Sequence, residues 1–397
     1  MEKARFKWVL RERNRKIAAK TEVFTEQQAR RVRSFHSSFK EYSPTPLIEL
    51  TSLAQHLGIK NLFVKDESYR FELNAFKVLG GSFAIGSYIA NELGEDIDDL
   101  PYMRLVSDEV RSLLGSKTFI TTTDGNHGRG VAWTANRLKQ QAMPQGSAAE
   151  RLANIRAEGA QAEITDMNYD DTVRYTSELA QKNGWIIVQD TAWDGYTRIP
   201  LWIMQGYMTM ALEAYEQLPV KPTHIFLQAG VGSLAGSVQG FFADIYGSSC
   251  PLTFIVEPKG ADCLYQTAAA NDGSLHSVTG RLETIMAGLA CGEPNSIAWE
   301  ILGNLSDGFI SCPDYTAAQG MRILGNPLAG DTKVSAGESG AATVGLVAEA
   351  MRDERLSDLK QALQLDENSV VLCFNTEGDT DKENYRRIVW DGAWGRE

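Results

Sequence analysis

Apolar positions along this chain fall into short dense runs separated by longer amphipathic or glycine-rich stretches, a rhythm that predicts alternating strands and helices. Strands are expected at residues 61–65, 118–122, 162–165, 185–189, 224–228, 253–256 and 370–374. Helical stretches lie between them. One spans 76–90, where Gly80, Gly81, Ser82, Ala84 and Gly86 permit close packing, and another spans 130–139. A third covers 148–157 and is opened by Ser147 and Glu150 in the pattern of a capping box. Sustained β/α alternation implies parallel sheets covered by helices on both faces, an α/β fold.

Three stretches interrupt the rhythm. Residues 1–40 are polar and charged with isolated aromatics, and read as a helical or extended arm outside the core, ordered structure beginning at Pro44-Thr-Pro-Leu-Ile48. Residues 91–116 are polar and acidic, which suggests a surface insertion. Between the helix ending near Lys139 and the pair Met143-Pro144, only Gln140, Gln141 and Ala142 remain. A β/α/β pattern needs an apolar strand of about five residues there. The connection is therefore either unusually tight or shortened by a deletion.

Composition narrows the partners. A length of 397 residues with 43% hydrophobic content supports a sizeable core and suggests two domains. A formal charge of −12 argues against a nucleic-acid or anionic-membrane surface, because either needs clustered Lys and Arg. Small molecules and copies of the same chain are the expected partners. The opening Met1-Glu-Lys-Ala-Arg-Phe-Lys is too charged for a secretory signal. No apolar run approaches the roughly 20 residues that span a bilayer. Cys250, Cys263, Cys291, Cys312 and Cys373 show no metal-ligand spacing, so reduced thiols in a cytoplasmic protein are expected, with a Cys263–Cys291 contact left open.

Three segments carry candidate chemistry. The first is Lys65-Asp-Glu-Ser-Tyr-Arg70 followed by Asn74-Ala-Phe-Lys77-Val-Leu-Gly-Gly81. A lysine between an aromatic and small residues at the start of a helix can be desolvated enough to attack an aldehyde, although most such lysines are solvated helix residues. The second is Thr121-Thr-Thr-Asp-Gly-Asn-His-Gly-Arg-Gly130, where Asn126 and the amides at the helix start can meet an anion, or where an ordinary strand-to-helix turn is capped by Asp or Asn. The third is Gln228-Ala-Gly-Val-Gly-Ser-Leu-Ala-Gly236, a glycine loop that can cradle a phosphate but lacks the Gly-Lys-Ser/Thr ending of a nucleotide P-loop.

In this order, the lysine helix, the Asp-Gly-Asn-His-Gly turn and the glycine loop resemble the fold-type II (tryptophan-synthase-β-like) pyridoxal-phosphate enzymes. Among these the chain looks like the diaminopropionate ammonia-lyases over nearly its whole length, with further support from Gln189-Asp-Thr-Ala-Trp-Asp-Gly-Tyr196, Val256-Glu-Pro258, Gly337-Glu-Ser-Gly-Ala341 and Asn375-Thr-Glu-Gly-Asp-Thr-Asp381. The resemblance implies two open, mostly parallel sheets flanked by helices, with residues 1–80 and 200–397 forming a large cofactor-binding domain and 81–199 a small one, the active site lying between them. It implies pyridoxal 5'-phosphate as cofactor, an amino-acid substrate and a homodimer. Lys77 matches the lysine that joins the cofactor aldehyde, Asn126 the partner of its phenolic oxygen, and Gly230, Val231, Gly232, Ser233, Leu234 and Gly236 the phosphate loop. Asn375 and Thr376 fall where the family places a neutral partner for the pyridine nitrogen, and either can serve.

Asp124 stands where relatives acting on serine or threonine carry a small hydroxyl residue that binds the substrate carboxylate. Two carboxylates repel, so Asp124 is expected either to pair with a side-chain ammonium or to act as a second base opposite Lys77. Asp190 can share either role, and turn or helix capping is the plainer alternative for both. The implied reaction is α,β-elimination of ammonia from 2,3-diaminopropionate to pyruvate and two ammonia. A serine/threonine dehydratase of the same fold shares every cofactor residue, and a catalytically silent cofactor-binding protein is the reading of another class.

Overall fold

Five runs rich in β-branched, aromatic and leucine side chains are apolar on both faces, which suits them to the middle of a covered parallel sheet. They are β3 (Asn61–Asp66), β7 (His224–Gln228), β8 (Leu252–Pro258), β9 (Gly308–Cys312) and β10 (Val370–Asn375), and nearly every residue in them is buried. The structure, a computed structural model, describes residues 6–13, 21–123, 125–145 and 149–395. Among these, β1 (Lys7–Leu10) and β2 (Leu47–Glu49) close the two edges, giving a seven-stranded sheet in the order β1-β9-β8-β7-β10-β3-β2. The edge strands pair antiparallel and the inner strands parallel. A second, all-parallel sheet has β4 (Thr118–Thr122) between β5 (Gln141–Gln145) and β6 (Ile186–Ile187).

Several expectations change. The first residues are not an arm outside the core: β1 joins the large sheet, Phe24 is fully buried, and the helix Glu26–Ser37 buries Ala29, Val32, Phe35 and His36. Their three- and four-residue spacing makes one apolar stripe on an otherwise charged helix. Residues 91–116 likewise send Leu100, Leu105, Val110 and Leu114 into the core between polar neighbours. The connection after Lys139 is not missing its strand. β5 is that strand, unexpectedly polar because it lies at the edge of the small sheet, where Pro144 is tolerated. The stretch 162–165 forms no strand: only Glu163 makes a β-bridge, while the Ala162 carbonyl accepts from Arg156 and Thr165 bonds the Thr172 hydroxyl. Ser147 lies outside the described residues, and the helix it was expected to open begins by Ala149.

The helix after Lys77, Val78–Leu93, is clamped on two sides. A Cβ at Gly130, in helix Asn126–Arg137, would sit 2.8 Å from the Val78 Cα. One at Gly206, in helix Arg198–Gln217, would sit 2.4 Å from the Leu79 carbonyl oxygen. Only glycine lets the three backbones come this close. His36 adds a third tie, its Nε2 lying 3.0 Å from the Leu79 oxygen and its Nδ1 2.7 Å from Thr209 Oγ1. Burial, aided by the Arg70 charge, brings its pKa down to about 3, so it bonds as a neutral ring.

Candidate active site

Each sequence-predicted functional segment follows the C-terminal end of a parallel strand, where α/β sheets place their ligands. Lys77 comes after β3, Asn126 after β4, Asp190 after β6, the 229–233 loop after β7, and Thr376 directly after β10. Together with Phe76, Tyr169, Gln228, Gly288, Leu289, Cys291, Ser339 and Glu377, they line one cleft.

The Lys77 ammonium donates to Asp190 Oδ2, forming the charged centre of the cleft. Tyr169 donates its hydroxyl to Asp190 Oδ1 at 3.1 Å, and Gln189 Nε2 donates to the Tyr169 oxygen at 2.7 Å. Burial pushes the Asp190 pKa up, but the charge of Lys77, then His127, and the hydrogen bonds from Lys77 and Tyr169 outweigh it. The carboxyl is therefore held well below the usual carboxylate range. His127, whose Nε2 lies 2.7 Å from the Val188 oxygen, places its other ring nitrogen 4.0 Å from Asp190 Oδ2.

The glycine loop forms an adjoining part of the wall. Gly232 takes φ +100° and caps the helix Ser233–Tyr246, so the cleft-lining residues 230–234 bring the positive end of that helix, with its first N–H groups unpartnered within the helix, to the cleft. Asn295 Nδ2 donates to Ser233 Oγ at 2.8 Å, and that hydroxyl donates in turn to the Asp190 carbonyl. Hydrogen bonding thus ties the loop to the carboxylate segment.

The structure separates the pair left open in the sequence. Thr376 lines the cleft, its Oγ1 accepting from Gln228 Nε2 at 3.0 Å. Asn375 does not: alternate residues of a strand face opposite ways, and its Nδ2 donates to Asp66 Oδ1 at 2.7 Å and to the Ser335 oxygen at 3.2 Å. Gly236 also misses the cleft, because it sits one helical turn on and packs against Ala298 and Met204. Gly230, Val231, Gly232, Ser233 and Leu234 all line it. Asp124 lies outside the described residues. Cys291 lines the cleft and Cys263 is buried nearby, and no disulfide joins them.

Lys65 and Arg70, next to the lysine segment in sequence, belong to a separate buried network. Lys65 Nζ donates to Glu213 Oε2 at 2.7 Å, and Arg70 bridges Glu213 and Glu67. Burial raises the Glu213 pKa, but Arg70 and then Lys65 bring it down to about 2. Residues not foreseen from the sequence are Tyr169, Gln228, Ser339 and Glu377. Asn126 donates its amide to Glu377, which also accepts from the Ser339 N–H at 3.1 Å.

An amine that can condense with an aldehyde, a row of amides that suits a phosphate and a neutral hydroxyl at Thr376 form a donor set that fits pyridoxal phosphate. Two buried atoms of cleft residues, Gln228 Oε1 and Ser339 Oγ, have no hydrogen-bond partner among the described residues, as expected of a site shaped for a polar guest.

Residues 39–376 match the family described as pyridoxal-phosphate dependent enzyme. The chain is 50% identical to the diaminopropionate ammonia-lyase of Escherichia coli K12 over 377 residues, 93% of each chain. It is 51% identical to that of Salmonella typhimurium LT2 over 369 residues, 91% of each. A crystal structure of holo diaminopropionate ammonia-lyase from Escherichia coli superimposes with a TM-score of 0.91 at 47% identity, covering 99% of this chain and 98% of that one.

Proposed function

The chain belongs to the pyridoxal-phosphate dependent enzymes and, within them, to the diaminopropionate ammonia-lyases, and on that premise we propose which of its residues carry the elimination. It is a carbon–nitrogen lyase that uses pyridoxal 5'-phosphate and acts on 2,3-diaminopropionate, giving pyruvate and two ammonia. The observation that carries the residue assignment is the Lys77 amine paired with an ionised Asp190 in front of the glycine loop.

Lys77 is the residue that would hold the cofactor, with the amides of 230–234 on its phosphate, Asn126 on its phenolic oxygen and Thr376 at its pyridine nitrogen. When bound, the cofactor supplies an aldehyde for amines and a ring that takes up the electron pair left at Cα. Thr376 is neutral, so it stabilises a protonated ring nitrogen less than a carboxylate would, which favours elimination over transamination. Once freed by substrate, the Lys77 amine removes the α-proton on its own face. Asp190, kept ionised, pairs with the β-ammonium and keeps the departing amine in the protonated form in which it leaves. Asp124 remains the proposed base for the opposite enantiomer, or a second partner for that ammonium.

The two-domain division at 1–80 with 200–397 and 81–199, a homodimeric assembly and a cytoplasmic location belong to the same proposal. No helix among the described residues is long and apolar enough to cross a membrane. The test is pyruvate release from each diaminopropionate enantiomer beside serine and threonine, with borohydride fixing the cofactor on Lys77. Turnover of serine far above that of diaminopropionate, or fixation elsewhere, would refute the assignment.

A further inference from the structure

Behind the cofactor cleft lies a second cavity of about 400 Å³, within the range of small-molecule sites. Tyr169 lines both spaces. The segment 287–291 forms their partition: Ala287 and Ala290 face the second cavity, and Gly288, Leu289 and Cys291 face the cleft. Glu338 and Ser339 divide in the same way. The cavity therefore adjoins the reaction space along a thin wall and is not a remote surface hollow.

Its lining carries charges of both signs. Arg151 is only 5% exposed, and its stem lies against the turn that carries Asn126: a Cβ at Gly125 would be 2.7 Å from the Arg151 Cδ. Glu338 is 4% exposed and accepts from Asn384 Nδ2. Thr123, Tyr169 and Met167 line it as well, and Arg281 and Asp381 add a further charge of each sign, Arg281 with a largely exposed side chain and Arg151 and Glu338 buried. A guanidinium recognises a carboxylate through paired N–H donors, and a carboxylate recognises an ammonium.

We propose that this cavity is a reception site for the free amino acid, in which Arg151 takes the α-carboxylate and Glu338 an ammonium before the substrate passes Tyr169 into the cleft. The proposal rests on the reading of the protein as a lyase acting on a diamino acid. Burial, and secondarily the Glu377 charge, push the Glu338 pKa up to about 7, against the opposing pull of Arg151. An arriving ammonium therefore finds a carboxyl that ionises in response, and the second ammonium of a diamino acid strengthens the contact relative to an ordinary neutral amino acid.

The test uses holoenzyme in which borohydride has fixed the cofactor on Lys77, so that substrate can no longer exchange onto it. Calorimetric titration with 2,3-diaminopropionate should then still show one saturable site. Arg151→Met should weaken it about tenfold or more, and Met167→Trp, which narrows the cavity and leaves the charges in place, should also abolish saturation. Thermal midpoints establish that each variant is folded, and Met167→Trp carries the test if Arg151→Met is not. No saturable binding to the fixed wild-type enzyme, or binding unchanged in a folded variant, overturns the proposal. Absence of pyruvate from the untreated holoenzyme would instead overturn the lyase reading, so the two failures are distinguishable.

Discussion

Replacing Gly206 with alanine should damage catalysis at a residue that touches neither cofactor nor substrate. The new methyl would lie 2.4 Å from the Leu79 carbonyl oxygen and 2.7 Å from the Gly80 Cα, both backbone atoms that cannot swing aside. Ordinary contact begins at 3.4 Å, so helices Arg198–Gln217 and Val78–Leu93 would have to part by 3.4 − 2.4, about 1 Å. Leu79 is two residues from Lys77, and Gly130 fixes the same helix start from the other side. The displacement therefore reaches the reactive amine. Overpacking of this kind costs about 1–3 kcal/mol, and a misplacement of about 1 Å can cost up to ~10²-fold in rate. Urea denaturation of the Gly206→Ala holoenzyme reads the first figure and kcat for pyruvate formation the second. Native stability would refute the packing argument, and lost stability with native kcat would show that the helix start is not what positions Lys77.

Other perturbations follow from the charges. Asp190→Asn should lower kcat by about 10²–10⁴-fold, the range of a positioned acid–base group, with pyruvate release as the measure. With the Lys77 ammonium free of cofactor, the Asp190 pKa is depressed in the fold, so its contribution to stability is present at neutral pH and lost as pH falls below the ordinary carboxylate range; in urea titrations of the cofactor-free protein the variant should lack that acid limb. Glu338 behaves oppositely: its pKa rises from 4.5 to about 7 on folding, so wild-type stability falls by about 3 kcal/mol as pH climbs through that window. Glu338→Gln should flatten the fall and be the more stable form at pH ~8, and equal pH profiles would refute the assignment. Glu213→Gln leaves Lys65 and Arg70 facing each other without their shared carboxylate and should cost about 3–5 kcal/mol in urea, whereas an unchanged midpoint would make the network a spectator.

The parts of the fold legible from the sequence were those whose local pattern and tertiary setting agree. β4 and β7 appear at the residues expected, because a short run of β-branched, aromatic and aliphatic residues running into a glycine turn has few other uses. β5 escaped because an edge strand needs only one neighbour, so Gln141, Gln145 and Pro144 are permitted there. The burial of helix Glu26–Ser37, in a segment read as a helical or extended arm, escaped for the opposite reason: its few buried residues are scattered through a charged segment, and only their shared face shows that they are core.

The site was legible where chemistry and local backbone coincide, and illegible where distant segments meet. A lysine at a helix start or a glycine loop after a strand announces itself within ten residues of sequence. Tyr169 does not, since its importance arises only because a hydroxyl on helix Tyr169–Asn183 reaches the carboxylate of Asp190. Asn375 and Thr376 show the limit most sharply. Both are small, neutral and adjacent, and their types alone do not choose between them. Strand geometry gives them different surroundings: Thr376 lines the cleft, while Asn375 donates to Asp66, so one hydroxyl reaches the cleft and one amide is spent on the scaffold. A ring nitrogen facing that hydroxyl meets a partner able to donate or accept, without a full charge to hold a proton there. Replacing Thr376 with aspartate would add that charge, and the same cleft would then favour return of a proton to the substrate over expulsion of its amine.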